Sequence, residues 1–362
     1  MRLHRQHMMR IRGFSLVELM VALTIGLIIL AAVSTLFVSS KQTYTTQDRL
    51  ARLQENARFA MHFIVKDLRL AGYFGCVSEL TPGSINNTLN NKTDFAWNAQ
   101  IPIEGVNNIA GAYGSPTGTW YPSANNVMPT NAIPGTDAVT VRMADSDSDI
   151  SLNQEMPNES AVLKTSTIAG LSEGDVIMVS DCASADIMQI TQLDPTDPHI
   201  VHNSGDNDPL PGNDTQFLSK TYSPSSSPDG TRIMKFVTRR YFIGTGASGN
   251  PALFRQDNIA AAVELVDGIE NLQVLYGKDT DSDGKPNIYL KAGDAGLQSE
   301  ADWSSVRSVR IGILARTVNE KDTDVDSNTY DIDGDGTTDV PAQNDRNKRR
   351  VFQAAVQLRN LQ

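Results

Sequence analysis

Arg10-Ile11-Arg12-Gly13-Phe14-Ser15-Leu16-Val17-Glu18-Leu19-Met20 is the stretch that decides how this chain is organised. Arg2, Arg5, Arg10 and Arg12 precede Gly13 with no acid among them, and from Phe14 to Val38 the only ionisable side chain is Glu18. Those 25 residues would extend about 37 Å as a helix, more than the roughly 30 Å hydrocarbon core of a bilayer. The arginines would hold their end in the cytoplasm. A secretory signal peptide fits poorly, because its apolar region runs about 7–15 residues and ends in a small-residue cleavage site. Here the run is longer and no A-x-A follows. A plain anchor leaves Glu18 unexplained, since a carboxylate in lipid costs about 2.5 kcal/mol or more and needs a partner. The nearest candidate is a free α-amino group on Phe14, which exists only if the Gly13–Phe14 bond is cut.

The helical pattern continues past the apolar run. Leu50, Leu53, Ala57, Ala60, Ile64, Leu68 and Ala71 recur at three- and four-residue spacing, the stripe of a helix lying on a core. No proline occurs before Pro82, and Gly72 is placed to stop the helix. A continuous helix from Phe14 to Ala71 would be roughly 87 Å long. Beyond residue 80, strand-like runs appear at Ala138–Met143, Asp175–Val179, Asp186–Thr191, Arg232–Ile243, Ile269–Tyr276, Val306–Ala315 and Arg350–Leu358. In the last, Phe352, Ala354, Val356 and Leu358 alternate with Gln353, Ala355, Gln357 and Arg359, which predicts one buried face. The fold class expected is α+β: a long N-terminal helix packed on an antiparallel β-sheet head with long loop insertions. The expected divisions are a leader (1–13), a membrane or filament-core segment (14–38), the amphipathic half of the same helix (39–72) and a β-rich head (73–362). The uncharged insertion from Gly105 to Thr136 and the Asp/Pro/Ser/Gly-rich one from Gln192 to Gly230 read either as surface decoration or as binding surfaces.

The net charge is −11, and becomes −15 if the four leader arginines are removed. No basic stripe remains to meet phosphates, which argues against nucleic acid as a partner. Cys76 and Cys182 are the only cysteines. On the far side of a membrane the pair is most simply a disulfide, the alternative being two buried thiols.

Asp279, Asp281 and Asp283, followed by Gly284, form the first half of a calcium loop, with oxygen ligands at positions 1, 3 and 5 and a turn glycine at 6. Asp331, Asp333, Asp335 and Gly336 repeat it and add Asp339 at position 9. Leu290 and Ala342 stand where a bidentate Glu would complete each loop, and Asp345 is a candidate to complete the second from outside. The competing reading is a solvated acidic turn. For catalysis there is little: His62, His199 and His202 are the histidines beyond the leader, and no G-x-S-x-G, P-loop or H-E-x-x-H motif occurs. The chain reads as a non-enzyme.

G-F-S-L-V-E-L-M behind a basic leader resembles the class III signal of type IV pilins and their secretion-system relatives. That resemblance implies cleavage between Gly13 and Phe14 by a membrane peptidase, methylation of Phe14, and a role for Glu18 in registering one subunit against the next. The segment Val263–Gly277, the following Asp279–Gly284, and the ending Val351–Asn360 resemble PilW-type minor pilins. The implied function is initiation and assembly of pili at or near the tip. The implied partners are other minor pilins, the major pilin, the prepilin peptidase/methyltransferase, the inner membrane and the pilus assembly machinery. A minor pseudopilin of a type II secretion system and a pilus-tip adhesin are the alternatives.

Overall fold

The computed structural model describes residues 13, 15–75, 84–112, 115–122, 128–205, 210–225, 230–318 and 324–361. Phe14 and Cys76 lie outside the described residues. The chain divides into two compact units, Met1–Arg52 and Leu53–Gln362.

One helix, Leu16–Leu70, begins in the first unit and ends in the second. In the first unit its apolar side chains, Leu16 through Val38, are exposed. By length and composition this helix is suited to cross a membrane. Two threonine hydroxyls within the run close on their own backbone: Thr24 Oγ1 donates to Val21 O at 2.9 Å and Thr35 Oγ1 to Ala32 O at 2.8 Å. Neither hydroxyl therefore needs water.

In the second unit the helix is amphipathic, as its spacing predicts. Leu53, Ala57, Ala60, Ile64, Leu68 and Ala71 are buried, and Glu55, Arg58, Lys66 and Arg69 face out; Leu50, of the same stripe but in the first unit, is half-buried. Each large aliphatic side chain so buried contributes about 1.5–3 kcal/mol. The helix stops where Gly72 takes a left-handed conformation (φ 71°), and Gly72 N donates to Arg142 O at 2.9 Å. Asn360 Nδ2 donates to the terminal carbonyls of Arg69 (3.3 Å) and Ala71 (3.2 Å), so the chain's last residues cap its long helix.

The helix packs on the strands of two sheets rather than one. Among the described residues the larger has eight strands. Arg232–Thr245 is its axis: Ala138–Ser151 pairs along one side, Val176–Ser180 and Pro251–Asp257 share the other, and all three pairings are antiparallel. Ile103–Val106 extends it beyond Ala138–Ser151, Val263–Asp267 beyond Pro251–Asp257, and Ala185–Gln189 beyond Val176–Ser180. Ile85–Asn87 pairs in parallel with Ala185–Gln189, a departure from the wholly antiparallel sheet expected. The second sheet runs Ile288–Leu290, Ile269–Lys278, Val306–Arg316, Arg349–Gln357. All seven strands anticipated from sequence are present, six of them within two residues of their expected ends, while the one expected at Ala138–Met143 runs eight residues further, to Ser151. In Arg349–Gln357 the expected face is the covered one, with Phe352 and Ala354 half-buried and Val356 buried.

Gly268 turns the chain from the first sheet to the second. Its φ of 80° favours glycine, and a Cβ there would lie 2.9 Å from Arg316 O. The insertions are not mere decoration. Ile109, Trp120, Met128 and Ala132 from the uncharged one are buried with Phe242 and Phe254. Ile200, Leu218 and Tyr222 from the second are buried with Ile177, Met188 and Ile233.

Candidate functional site

At the N-terminal end, Gly13 is exposed and Ser15 opens the helix. Glu18 Oε2 accepts from Ser15 N at 2.9 Å, and Ser15 Oγ accepts from Glu18 N at 3.2 Å. This is a reciprocal capping box, and the S-x-x-E pattern that signals it was present in Ser15-Leu16-Val17-Glu18. Glu18 thus holds a local backbone N–H, and cleavage after Gly13 would leave that bond in place.

The second acidic loop lies on the second sheet because Gly312 admits it. A Cβ at Gly312 would sit 1.9 Å from Ile332 O, so only glycine allows the loop's backbone onto strand Val306–Arg316. Gln353 Nε2 donates to the same carbonyl at 2.9 Å. Asp331, Asp333 and Asp335 each offer an oxygen within 4.8 Å of the others. Several oxygens are already engaged: Asp331 accepts from Gly334 N and Gly336 N, Asp335 Oδ1 from Thr337, and Asp339 Oδ2 from Ile332 N. The remaining ones face a residue absent from the sequence reading. Lys291 Nζ stands 3.0 Å from Asp335 Oδ2, 3.1 Å from Asp333 Oδ2 and 3.8 Å from Asp339 Oδ1. Asp333 is fully buried and Oδ2 has no well-directed hydrogen bond, so that contact is chiefly charge on charge.

Thus a tethered ammonium already relieves the repulsion that motivated a metal. Burial opposes the Lys291 charge, but the carboxylates of Asp335 and Asp333 outweigh it and raise its pKa. Asp335 is lowered to about 2, first by the Thr337 hydroxyl and, against burial, by Lys291. Asp339 is raised, chiefly by burial. The three free oxygens also suit a hard divalent cation, so Lys291 and calcium would compete for one place. Asp345 does not complete this site. It holds Arg349, at 2.7 and 2.8 Å, in a cluster with Asp326 and Glu270.

The first acidic loop folds around its own backbone. Asp279 accepts from Ser282 N (2.7 Å), Gly284 N (2.9 Å) and Asp281 N (3.2 Å). Burial raises the Asp279 pKa, and these donors more than reverse it. Arg307 Nε lies 3.9 Å away, while Asp281 and Asp283 are exposed. Cys182 holds a left-handed conformation (φ 61°). The histidines do not gather: His62 is exposed on the helix, and His202 is buried with its pKa lowered, chiefly by burial. His199 Nδ1 lies 2.6 Å from Asp197 O.

Residues 8–34 match the prokaryotic N-terminal methylation motif, and residues 240–360 match Type IV Pilus-assembly protein W. The chain is thus similar to PilW-type pilins over its C-terminal third and carries a prepilin-type methylation motif at its N-terminal end. Among solved structures, a type IV-like pilin TTHA1219 from Thermus thermophilus is 10% identical, over 86% of this chain and 99% of that one, with a TM-score of 0.35. No individually curated protein matches the sequence. The PilW-type match covers the second sheet, both acidic loops, Lys291 and the Arg349 cluster, while the methylation motif covers Gly13 and Glu18.

Proposed function

We propose that this chain is a minor pilin that takes part in initiating and assembling type IV pili, at or near the tip. The observation that carries the reading is one chain joining a methylation motif, on an exposed apolar helix, to a PilW-type head. In this reading prepilin peptidase cuts between Gly13 and Phe14 and methylates Phe14. Residues 1–13 leave as the leader, 14–38 cross the inner membrane and later enter the filament core, 39–72 complete the helix, and 73–362 form a periplasmic head. Glu18 registers the subunit against its neighbours, which are other minor pilins and the major pilin, with the assembly machinery acting on the whole.

Two supporting features belong to the same proposal. Cys76 bridges Cys182, closing a loop of about a hundred residues and stabilising the head by about 2–4 kcal/mol. Calcium binds weakly at Asp333, Asp335 and Asp339, beside Asp331, and more weakly still at Asp279, Asp281 and Asp283. The test is a deletion strain complemented with the wild-type gene or with Gly13→Ala. Loss of surface pili on deletion, restoration by the wild type, and a mature mass beginning at methylated Phe14 are the expected results. Normal pilus numbers in the deletion strain, or an intact leader in the mature protein, would overturn the reading.

A further inference from the structure

A cleft of about 480 Å³ opens in the head where the uncharged insertion meets the turn after strand Ile288–Leu290. Asn107, Asn108, Thr117, Thr119 and Tyr121 line one side and Asp294 the other. Among the described residues, the side chains of Asn107, Asn108, Thr117 and Thr119 make no hydrogen bond within the protein. Four neutral groups, each with donor and acceptor capacity, thus line one concavity with no partner among the described residues.

The walls are built rather than loose. Asn108 holds a left-handed conformation (φ 52°), and its N–H donates to Asp137 Oδ1 at 2.8 Å. Asp137 is buried, and its other oxygen accepts from Val274 N at 2.8 Å, so this wall is tied to the second sheet. Tyr121 pairs with Gly105 through both backbone groups, at 2.9 and 3.0 Å. The opposite turn takes its shape from Asp294 Oδ2, which accepts from Lys291 N at 2.8 Å. Gly293 brings it close: a Cβ there would lie 2.6 Å from the Tyr121 ring.

We propose that this cleft binds a short, neutral oligosaccharide. Its volume falls in the usual range for small ligands, about 300–1,000 Å³. Vicinal hydroxyls need closely spaced donors and acceptors, which the Asn amides and Thr hydroxyls supply, and the Asp294 carboxylate accepts from a pair of them. The Tyr121 ring offers an apolar surface for the C–H side of a pyranose. An anionic ligand is disfavoured, since among the described residues no cationic side chain lines the cleft and Asp294 does. A hydrocarbon ligand would meet few apolar walls. The inference stands on the head alone and does not require the filament role above.

The test uses the full-length protein in a sugar-free detergent. Cellotriose, chitotriose and mannotriose are the neutral probes, a sulfated heparin oligosaccharide the anionic one, and an uncharged Ser/Gly/Asn peptide the third arm. Binding is read by saturation-transfer NMR and calorimetry. At least one neutral trisaccharide should bind saturably, and Asn108→Gly/Thr119→Val should weaken it by about tenfold or more with the melting temperature held. Gly at 108 keeps the positive φ, and Val at 119 keeps the shape. If that variant melts early, Thr117→Val/Thr119→Val replaces it. Binding untouched by these changes, no neutral sugar bound at about 10 mM, or preference for the sulfated probe or the peptide would overturn the proposal. Pilus counts on the variant strain should stay normal, which separates this failure from failure of the assembly reading.

Discussion

The two units handle polar groups in opposite ways. In Met1–Arg52 the polar side chains of the apolar run that are bonded find their partners within four residues: Glu18 with Ser15, Thr24 with Val21, Thr35 with Ala32. In Leu53–Gln362 the buried charges meet across long stretches of sequence: Asp67 with Arg239, Glu270 with Arg349, Asp333 with Lys291. The first pattern leaves a helix complete in its hydrogen bonds but uncovered on its apolar surface, so its cover must come from outside. The second leaves a head that supplies its own partners. A change in the first unit should therefore be read in assembly, and a change in the second in stability.

Glu18 gives the largest expected effect, because it has both a local and a proposed external role. Glu18→Gln keeps the capping box, in which Gln serves as well as Glu, and removes only the charge. Ser15→Ala keeps the charge and removes the cap hydroxyl, at a cost of about 0.5–2 kcal/mol to the helix start. Surface pili should fall close to zero for Glu18→Gln and persist for Ser15→Ala. The reverse ranking would assign Glu18 to helix capping and remove its registering role.

Asp67 is the strongest test of the head. It is buried on the helix, with Oδ1 2.9 Å from Arg239 Nη1 and Oδ2 accepting from Tyr241 OH. Asp67→Ala strands the Arg239 charge with Asp145 and Asp257 as its remaining acids. It should destabilise the head by about 3–5 kcal/mol, as truncating one partner of a buried pair does. Trp97, Trp120 and Trp303, all buried in the head, report the melt by fluorescence. Lys66→Ala, one residue away in an exposed pair 3.7 Å from Asp147, should cost under about 1 kcal/mol. Equal effects from the two would undo the contrast between buried and exposed charge.

Local patterns account for what was legible in the sequence. The helix stripe, the Gly72 stop and seven strands each follow from spacing or turn chemistry within a dozen residues, and the structure has them all. Short strands such as Ile85–Asn87 and Ile288–Leu290 were missed, because three residues carry no period. Charge partners were the main loss. Asp331, Asp333 and Asp335 announce a cation, but nothing near Lys291 in the sequence announces that it is one. Asp345, offered as a ligand, is drawn off by Arg349 four residues on.

Asp137 extends the contrast to pH. It is buried, and its pKa is raised to about 7 by that burial, against the N–H groups of Asn108 and Val274 and the field of Lys291. A folded-state pKa above the unfolded one means stability that is full below about pH 4 and lost as pH rises to about 7. The loss is up to about 4 kcal/mol. Asp137→Asn cannot ionise, so it should lack this loss while keeping one of the two backbone bonds. Its melting temperature should fall below the wild type at pH 5 and draw level with it or pass it at pH 8. His202, whose pKa burial lowers, works in the opposite direction, losing stability as pH falls, and is common to both proteins. A wild-type-minus-variant difference that does not change with pH would show that Asp137 does not titrate in this window.

Calcium should give the smallest effect, because the head already carries a cation in the second acidic loop. At ten times a dissociation constant of about 10⁻³ M, an ion that binds only the folded state adds about 1.4 kcal/mol, and competition from Lys291 reduces the shift further. Lys291→Met keeps most of the stem and removes the ammonium. Without calcium it should melt earlier than the wild type, since Asp333, Asp335 and Asp339 then face one another unneutralised. With calcium it should recover by more than the wild type gains. Asp333→Ala/Asp335→Ala should show no calcium shift in either background. The first loop, whose leading carboxylate is occupied by three backbone N–H groups, should contribute little, so Asp281→Asn/Asp283→Asn should leave the shift intact. No calcium shift in either the wild type or Lys291→Met would leave Lys291 as the sole cation of this loop and remove the metal from the account. A shift that survives Asp333→Ala/Asp335→Ala would place the ion elsewhere.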